Sequence, residues 1–455
     1  MKEDFSVNIE KFYSEMTARL LKEYGNYSYK NVFLAEIAIK FYLNNYINST
    51  VFFKEIQTIE TKEGWDKLQA FHLDNFKAKD SFLSKIKNAF LDVVRYFKYA
   101  MTPTVEFTNA EYYFFITNKK FISFTENIRL NLEKKGIKTG LLIWETKDVN
   151  ESIRAISNTP KVAFPQFWKK QYFQFRPYAH LVDRVLGYKA LLNSKNIILI
   201  EGCVLSEHIV GEVCKAKHIN TALLQWGFFA KTVTQAGWRE MPFSKFLVWG
   251  EFYKKSFSKY NSLPIVACGH PTLDYSSNYD KSPVILFAVQ KVMGDHIKEN
   301  DILNFIDYAI SFAKMLPNFK VIVRSHPDFK IPEDRKQNAE GIPNIIWHDY
   351  YNFSLQNSFT EAKYCVSISS TVSLESIAFG CYPLFLKANA LPLQVHEIFD
   401  ATNGFEHVFD YDSFEIGIEK LEKSDSVPYI KKLKTEFYKT LGDDALEAIA
   451  LELTA

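Results

Sequence analysis

The chain has 455 residues, more than one ordinary hydrophobic core accommodates, since cores stop growing at roughly 250–300 residues and longer chains divide. Its 47% apolar and 24% charged residues exclude long disorder, collagen-like repeats and a disulfide-stapled miniprotein. A balance of 55 basic to 53 acidic side chains excludes a whole-protein field directed at nucleic acid, and the one unusual figure is aromatic: 40 Phe, 25 Tyr and 7 Trp.

The N-terminus, MKEDFSVNIEKFYSEM, carries charges where a signal peptide needs a continuous apolar stretch, and no 18-residue uncharged apolar run follows. Five cysteines without C-x-x-C spacing (Cys203, Cys214, Cys268, Cys365, Cys381) suit free buried thiols in a reducing compartment. Both features lead us to expect a cytoplasmic chain. Residues 1–103 repeat apolar positions every three or four residues, as in VFLAEIAIKFYLNNYI and FLSKIKNAFLDVVRYFKYAM, with little strand character. They read as a helical N-terminal extension. Its faces pack against the protein itself or serve a peripheral contact with the inner membrane or an acceptor.

After Pro103 short apolar runs alternate with helical stretches, the pattern of βα units on a parallel sheet. YYFFIT (112–117), TGLLIW (139–144), NIILIEG (196–202), NTALLQWG (220–227), KFLVWG (245–250) and the short run before Gly269-His270-Pro271 make one Rossmann-like half, residues 104–271. The polar stretch TLDYSSNYDK (272–281) reads as a linker, with the Gly269–Pro271 turn as its hinge. PVILFAVQ (283–290), FKVIVRSHP (319–327), NIIWHD (344–349), KYCVSISS (363–370) and CYPLFLK (381–387) make a second half, residues 282–410, and amphipathic helices over 411–455 close the chain. The fold class is therefore α/β, with two parallel sheets in tandem. Open α/β sheets bind ligands beyond the carboxyl ends of their strands, so the functional residues are expected there, facing across a cleft.

Arg324-Ser325-His326-Pro327 leaves the strand FKVIV. Arg324 offers forked donors to phosphoryl oxygens, His326 can donate a hydrogen bond or proton to a departing phosphate, and Pro327 stiffens the exit. The same residues are compatible with a plain surface turn. Ser369-Ser370-Thr371 opens a helix, where a hydroxyl cap leaves backbone N–H groups for an anion, and Glu375 follows one turn later; a simple helix cap is the bland alternative. In the first half Glu201 ends a strand, and Glu207 and His208 open the next helix. Glu201 or His208 could take a proton from a hydroxyl, or both are ordinary helix-start residues. Gln225, Trp226, Gly227 and Phe228 end the following strand, with Trp226 or Phe228 able to stack on a sugar or simply to fill the core. Asp295 and His296 read as a polar loop. No H-E-x-x-H, H-x-x-x-H or D-x-D cluster follows one of these predicted strands, so no metal is expected; G-x-G-x-x-G, the P-loop signature and G-x-S-x-G are absent as well.

In the order LLQWG, FLVWGEFYKK, VACGHPTLD, PVILFAVQ, VIVRSHP and SISSTVSLESIAFG, residues 104–400 resemble the GT-B superfamily. Within it the chain is similar to bacterial capsule and surface-polysaccharide transferases, among them the HP-motif Kdo and sialic acid transferases. The same succession is seen in CDP-glycerol glycerophosphotransferases and, more distantly, in UDP-GlcNAc 2-epimerases. The resemblance implies two Rossmann-like domains facing across a cleft, and a nucleotide sugar as co-substrate with no cofactor. It also implies a glycan or glycolipid acceptor, CMP phosphate held by His326 and Ser369–Thr371, and a ribose or base contact at Glu375. The chain departs from the glycerophosphotransferases, which carry His before the glycine where this sequence has Gln225-Trp226-Gly227. An epimerase, a polyol phosphotransferase and a non-catalytic polysaccharide-assembly protein remain the alternatives.

Overall fold

The computed structural model describes residues 5–25, 27–47, 59, 61–76, 82–101, 110–118, 120–144, 172–227, 236–274, 278–292, 297–387, 399 and 405–455. Helices α1 (Phe5–Tyr24), α2 (Leu34–Ile47), α3 (Lys62–Phe76) and α4 (Phe82–Met101) account for most of the first hundred residues. Strand content was not expected here, but β1 (Ser28–Tyr29) and β2 (Val32–Phe33) form an antiparallel hairpin. Its two turn residues, Lys30 and Asn31, both have positive φ, 52° and 68°, the backbone twist that two-residue hairpins require. Nor is this region an appendage. α2 buries Ala35, Ile39 and Leu43, and Lys40 carries its ammonium inside to the carbonyls of Arg239 and Glu240, 3.0 and 2.9 Å away. The extension therefore completes the core of the first half.

Strands β3 (Tyr112–Ile116), β4 (Thr139–Ile143), β5 (Asn196–Leu199), β6 (Asn220–Leu224), β7 (Lys245–Val248) and β8 (Ile265–Ala267) pair in parallel in the order β4-β3-β5-β6-β7-β8. β3 is buried at every position, which the sequence YYFFI permits because helices cover both faces of a parallel sheet. Helices α5 (Phe121–Lys134), α6 (Tyr172–Gly187), the short α7 (Lys189–Leu192), α8 (Leu205–Ala216) and α9 (Glu251–Phe257) supply the cover. Tyr172 and Phe175 of α6 are fully buried, Phe175 stacking on Tyr27 of the extension. Both are therefore core residues that join α6 to the extension.

The second half repeats the plan. β9 (Val284–Ala288), β10 (Lys320–Arg324), β11 (Ile345–His348), β12 (Tyr364–Ser367), β13 (Tyr382–Leu386) and β14 (Val408–Phe409) run parallel in the order β11-β10-β9-β12-β13-β14. Between them lie α10 (Glu299–Met315), α11 (Glu333–Asn338), α12 (Leu355–Glu361) and α13 (Thr371–Glu375), the last continuing as one 3₁₀ turn to Phe379. The chain is thus α/β with two Rossmann-like sheets. In each, strand order reverses beside the first strand, between β3 and β5 and between β9 and β12, and these are the two crevices where ligands are expected.

Helices α14 (Tyr411–Glu422), α15 (Val427–Phe437) and α16 (Gly442–Thr454) follow. α15 packs on α9, and α16 on α5 of the first half, where the Tyr112 hydroxyl donates to Leu453 O at 3.1 Å. The returning chain locks the segment expected to be a hinge. His270 N–H donates to Thr440 O at 3.0 Å, its carbonyl accepts from Gly442 N–H at 3.1 Å, and its ring lies 4.3 Å from Trp249. Burial pushes the imidazole down to about 3, so His270 is a neutral packing residue at a fixed joint.

Candidate active site

β10 ends on Arg324, whose side chain leaves the strand into a nearly closed space and is only 4% exposed. Its Nη1 reaches Ser358 Oγ at 3.3 Å, and the guanidinium lies 5.7 Å from the Tyr350 ring. Ser358 Oγ is also 2.9 Å from His348 Nδ1, and His348 stacks on Phe353 at 4.3 Å. Among the described residues no carboxylate forms an ion pair with Arg324. Burial pulls its pKa down, with Tyr350 and Asp349 opposing from a distance. A buried guanidinium held by one hydroxyl and one ring lacks the compensation that folded proteins ordinarily give such a charge.

His326 is half-buried beside it. Its Nδ1 accepts the Asp328 N–H at 2.9 Å, and burial lowers its pKa more than nearby Asp328 restores it. In the neutral ring the proton is therefore on Nε2, which has no acceptor among the described residues and is available as a donor. Pro327 is exposed at the start of the turn.

The serine turn is more occupied than its sequence implied. Ser369 N–H donates to Gln290 Oε1 at 2.6 Å, Ser370 N–H to Ser367 Oγ at 3.2 Å, and Val372 N–H to Ser370 Oγ at 3.3 Å. α13 is five residues long, too short for a substantial dipole. The expectation of several free amides is corrected accordingly: the turn offers an anion chiefly the Thr371 N–H and the half-buried hydroxyls of Ser369 and Thr371. Gln290, which went unnoticed in the sequence, is the first polar residue after β9 and ties the two sides of the second crevice together. Glu375 keeps some accessible surface, yet its carboxyl is enclosed and burial pushes it up to about 7. It faces Tyr253 at the first half's α9 and Tyr438 beyond α15, both within electrostatic range, so the ends of the two sheets approach each other here.

In the first crevice Thr117, directly after β3, donates its hydroxyl to Glu201 Oε2, two residues past β5. Glu201 remains partly exposed, and Gly202 follows with φ of 65°, where an added Cβ would meet Leu223 and Trp238 at 2.5 Å. Glu207 lies beneath. Its buried carboxyl accepts the N–H groups of Ile200 at 3.2 Å, of Glu201 at 3.0 Å and of Gly202, and burial still pushes it up to about 7. It shapes the exit loop from inside.

His208 does not reach the crevice. It is 1% exposed, Nε2 donates between the carbonyls of Gly202 and Gly237 at 2.9 and 2.7 Å, and Phe41 and Phe243 meet the ring edge-on. Burial brings its pKa down to about 3, so it serves the fold and is removed as a candidate base. Gln225 is removed from the acceptor group as well. It is buried, its Nε2 donates to Gly227 O at 2.9 Å, and its Oε1 accepts the Trp249 N–H at 2.8 Å. Trp226 keeps partial exposure, with Phe121 at 5.0 Å and the Lys120 ammonium 4.4 Å from its ring centre. Its indole N–H is unpartnered among the described residues. An added Cβ on Gly227 would meet nothing within 4 Å. Phe228, Asp295 and His296 lie outside the described residues. Among those described, no group of three His, Cys, Asp or Glu side chains is placed to hold a metal ion, and no helix is long and apolar enough to cross a membrane.

The two sheets and their strand-end crevices define a protein of two Rossmann-like α/β units. No family model and no curated protein matches the chain. Among solved structures, MurG from Acinetobacter baumannii aligns with a TM-score of 0.49 at 10% identity, over 76% of this chain and 99% of that one. The calicheamicin glycosyltransferase CalG4 aligns at 0.48 and 12% identity over 76% and 98%. A UDP-GlcNAc 2-epimerase from Neisseria meningitidis, bound to UDP-GlcNAc, aligns at 0.46 and 11% identity over 75% and 99%. At such identities the likeness concerns the path of the chain alone.

Proposed function

We propose that this chain is a glycosyltransferase that moves a sugar from a nucleotide donor to a glycan or glycolipid acceptor. The observation that carries the reading is Arg324, a cation 4% exposed at a strand end, with no carboxylate partner among the described residues. A donor phosphate would supply the missing charge. The free Nε2–H of His326, the Thr371 N–H and the hydroxyls of Ser369 and Thr371 would share the same phosphate, and Glu375 would accept from the ribose. The resemblance of the HP and serine motifs favours a CMP-activated acidic sugar such as Kdo or sialic acid, used in building a bacterial surface glycan.

In the step proposed, an acceptor hydroxyl oxygen forms a bond to the anomeric carbon as the bond from that carbon to the donor phosphate oxygen breaks. The hydroxyl proton passes to Glu201, and the nucleotide departs with the bonding electron pair. Arg324 and His326 stabilise the growing phosphate charge, an electrostatic contribution that strengthens as the site excludes water. Trp226 would flank the acceptor.

Thermal-shift measurements with CMP, CDP, UDP and GDP test the donor site. One nucleotide should stabilise the protein by about 2.7 kcal/mol at a hundredfold excess over its dissociation constant. His326→Ala should lose transfer, and EDTA should leave it intact; full activity in the variant would overturn the role given to His326. Conversion of UDP-GlcNAc without any acceptor would instead favour an epimerase.

A further inference from the structure

Helix α4 has two opposite faces of different character. On one, Asp92 is buried and accepts from Arg176 Nε and Nη2 at 2.8 and 2.6 Å and from the Tyr172 hydroxyl at 3.0 Å, with His180 Nε2 at 3.0 Å. These contacts fasten the helix to α6. Leu83 and Met101 lie nine residues to either side of Asp92, two and a half turns of a 3.6-residue helix, and so point the opposite way. Both are 77% exposed, and between them on the same side Ile86 is 52%, Phe90 67%, Val94 46% and Phe97 54% exposed. The result is an apolar stripe along a 20-residue helix, about 30 Å long at 1.5 Å per residue.

Soluble proteins seldom leave such a stripe uncovered without a partner for it. The charges on the helix identify which. Apart from Asp92, which is already neutralised, every charged residue of α4 is a cation: Lys85, Lys87, Arg95 and Lys98. Lys87 is exposed and lies beside the stripe, whereas Lys85, seven residues before Asp92, and Arg95, three after it with Nη1 2.8 Å from His180 Nδ1, are exposed toward the α6 side. A second copy docking by the same face would bring Lys87 against another α4, whose one carboxylate, Asp92, is buried against α6 and cannot receive it. An anionic lipid surface complements the cation while its acyl boundary receives the apolar side chains. The helix has the length of a span, but its charged residues leave it too polar to cross a bilayer, so it lies in the plane of the surface.

We propose that α4 is an interfacial helix that docks the protein on anionic membranes, seating Leu83, Ile86, Phe90, Val94, Phe97 and Met101 among the lipids. The inference is independent of the donor reading, because it rests on α4 and on none of the strand-end residues.

Flotation of the full chain with vesicles tests it. Vesicles of equal phosphatidylglycerol and phosphatidylcholine should carry the protein, pure phosphatidylcholine should carry far less, and added salt should weaken the difference. Phe90→Glu and Phe97→Glu should each reduce binding about tenfold or more, since each removes one large apolar side chain from the bilayer. Circular dichroism should show these exposed positions leaving the fold intact, and a separate Phe90→Trp variant should shift its emission to the blue on anionic vesicles. Failure of the full chain to float with anionic vesicles would overturn the proposal. So would a dimer, measured by light scattering, that Phe90→Glu converts to a monomer, because the stripe would then belong to a second copy.

Discussion

The hydroxyl of Thr117 donates to the carboxylate of Glu201, joining the exits of β3 and β5 where the order of the first sheet reverses. The bond orients Glu201, a partly exposed carboxylate of that crevice. In the reaction proposed, Glu201→Gln should therefore lower kcat by about 10²–10⁴, the usual contribution of a general base, while nucleotide-induced stabilisation persists. Thr117→Val removes only the orienting hydroxyl and should reduce kcat less, with the donor KM unchanged. Transfer kinetics and thermal shift on the two variants separate these roles. Equal activity of Glu201→Gln and the natural chain would place the base elsewhere.

Arg324 makes an unusual stability prediction. Replacing a buried, poorly compensated cation by an apolar side chain of similar length relieves its desolvation cost, so Arg324→Met should leave the melting temperature of the free protein unchanged or higher. The same variant should lose the nucleotide shift. A large loss of stability without nucleotide would mean that Arg324 is already satisfied by the fold.

Much of this site was legible before the structure. RSHP and SSTVSLE stand out because each follows an apolar run that can only be a strand, and strand ends are where α/β sheets expose chemistry. Thr117 and Gln290 follow the same rule, as the first polar residues after YYFFI and VILFAV, and reading every strand end alike would have found them. What the sequence could not disclose is direction. His208 and Gln225 belong to residue types that often act on ligands, but a side chain three residues into a helix, or at the last turn of a strand, can point inward as readily as outward. For His208 the decision came from Phe41, distant in sequence, whose helix α2 covers α8. The helical extension was recognised as helical but not as part of the first core, because periodicity identifies an apolar face without saying what lies against it.

His208 also gives the fold a pH dependence. Its pKa is about 3 in the folded chain against an ordinary value of 6.5, so between these values the unfolded chain binds a proton that the folded chain refuses. Its contribution is present above about pH 6.5 and is lost as pH falls toward 3. Glu207 has the opposite sign. Raised from 4.5 to about 7, it favours the folded state below pH 4.5 and loses that contribution as pH rises to 7, so the two oppose each other between pH 4.5 and 6.5. His208→Gln retains a donor toward the Gly202 and Gly237 carbonyls but cannot titrate. Urea unfolding from pH 7 to 4.5 should show the variant losing stability less steeply on acidification, by about 1.4 kcal/mol per pH unit, one proton's worth. An unchanged slope would assign the acid sensitivity to other buried imidazoles such as His270.

The packing of α15 on α9 ties the two halves together. Gly250 precedes α9 in extended backbone, φ −158°, a conformation any residue adopts, so its lack of a side chain has a steric cause. A Cβ there would lie 2.4 Å from the carbonyl carbon and oxygen of Phe437, at the end of α15. Backbone cannot swing aside as a side-chain tip does, and Gly250→Ala must push α15 away from α9. The cost should be about 1–3 kcal/mol, as for other overpacked contacts, read as a lower melting temperature. The displacement should also reach the site, because the Tyr438 hydroxyl, just past α15, donates to Leu374 O at 2.9 Å beside Glu375. Nucleotide affinity should therefore fall with stability in Gly250→Ala. In Gly136→Ala, where a Cβ meets nothing within 4 Å and only the positive φ of 81° is strained, stability should fall while nucleotide affinity stays constant. Equal losses of affinity in both variants would mean that the effect is global weakening and that the α15 crossing does not position the site.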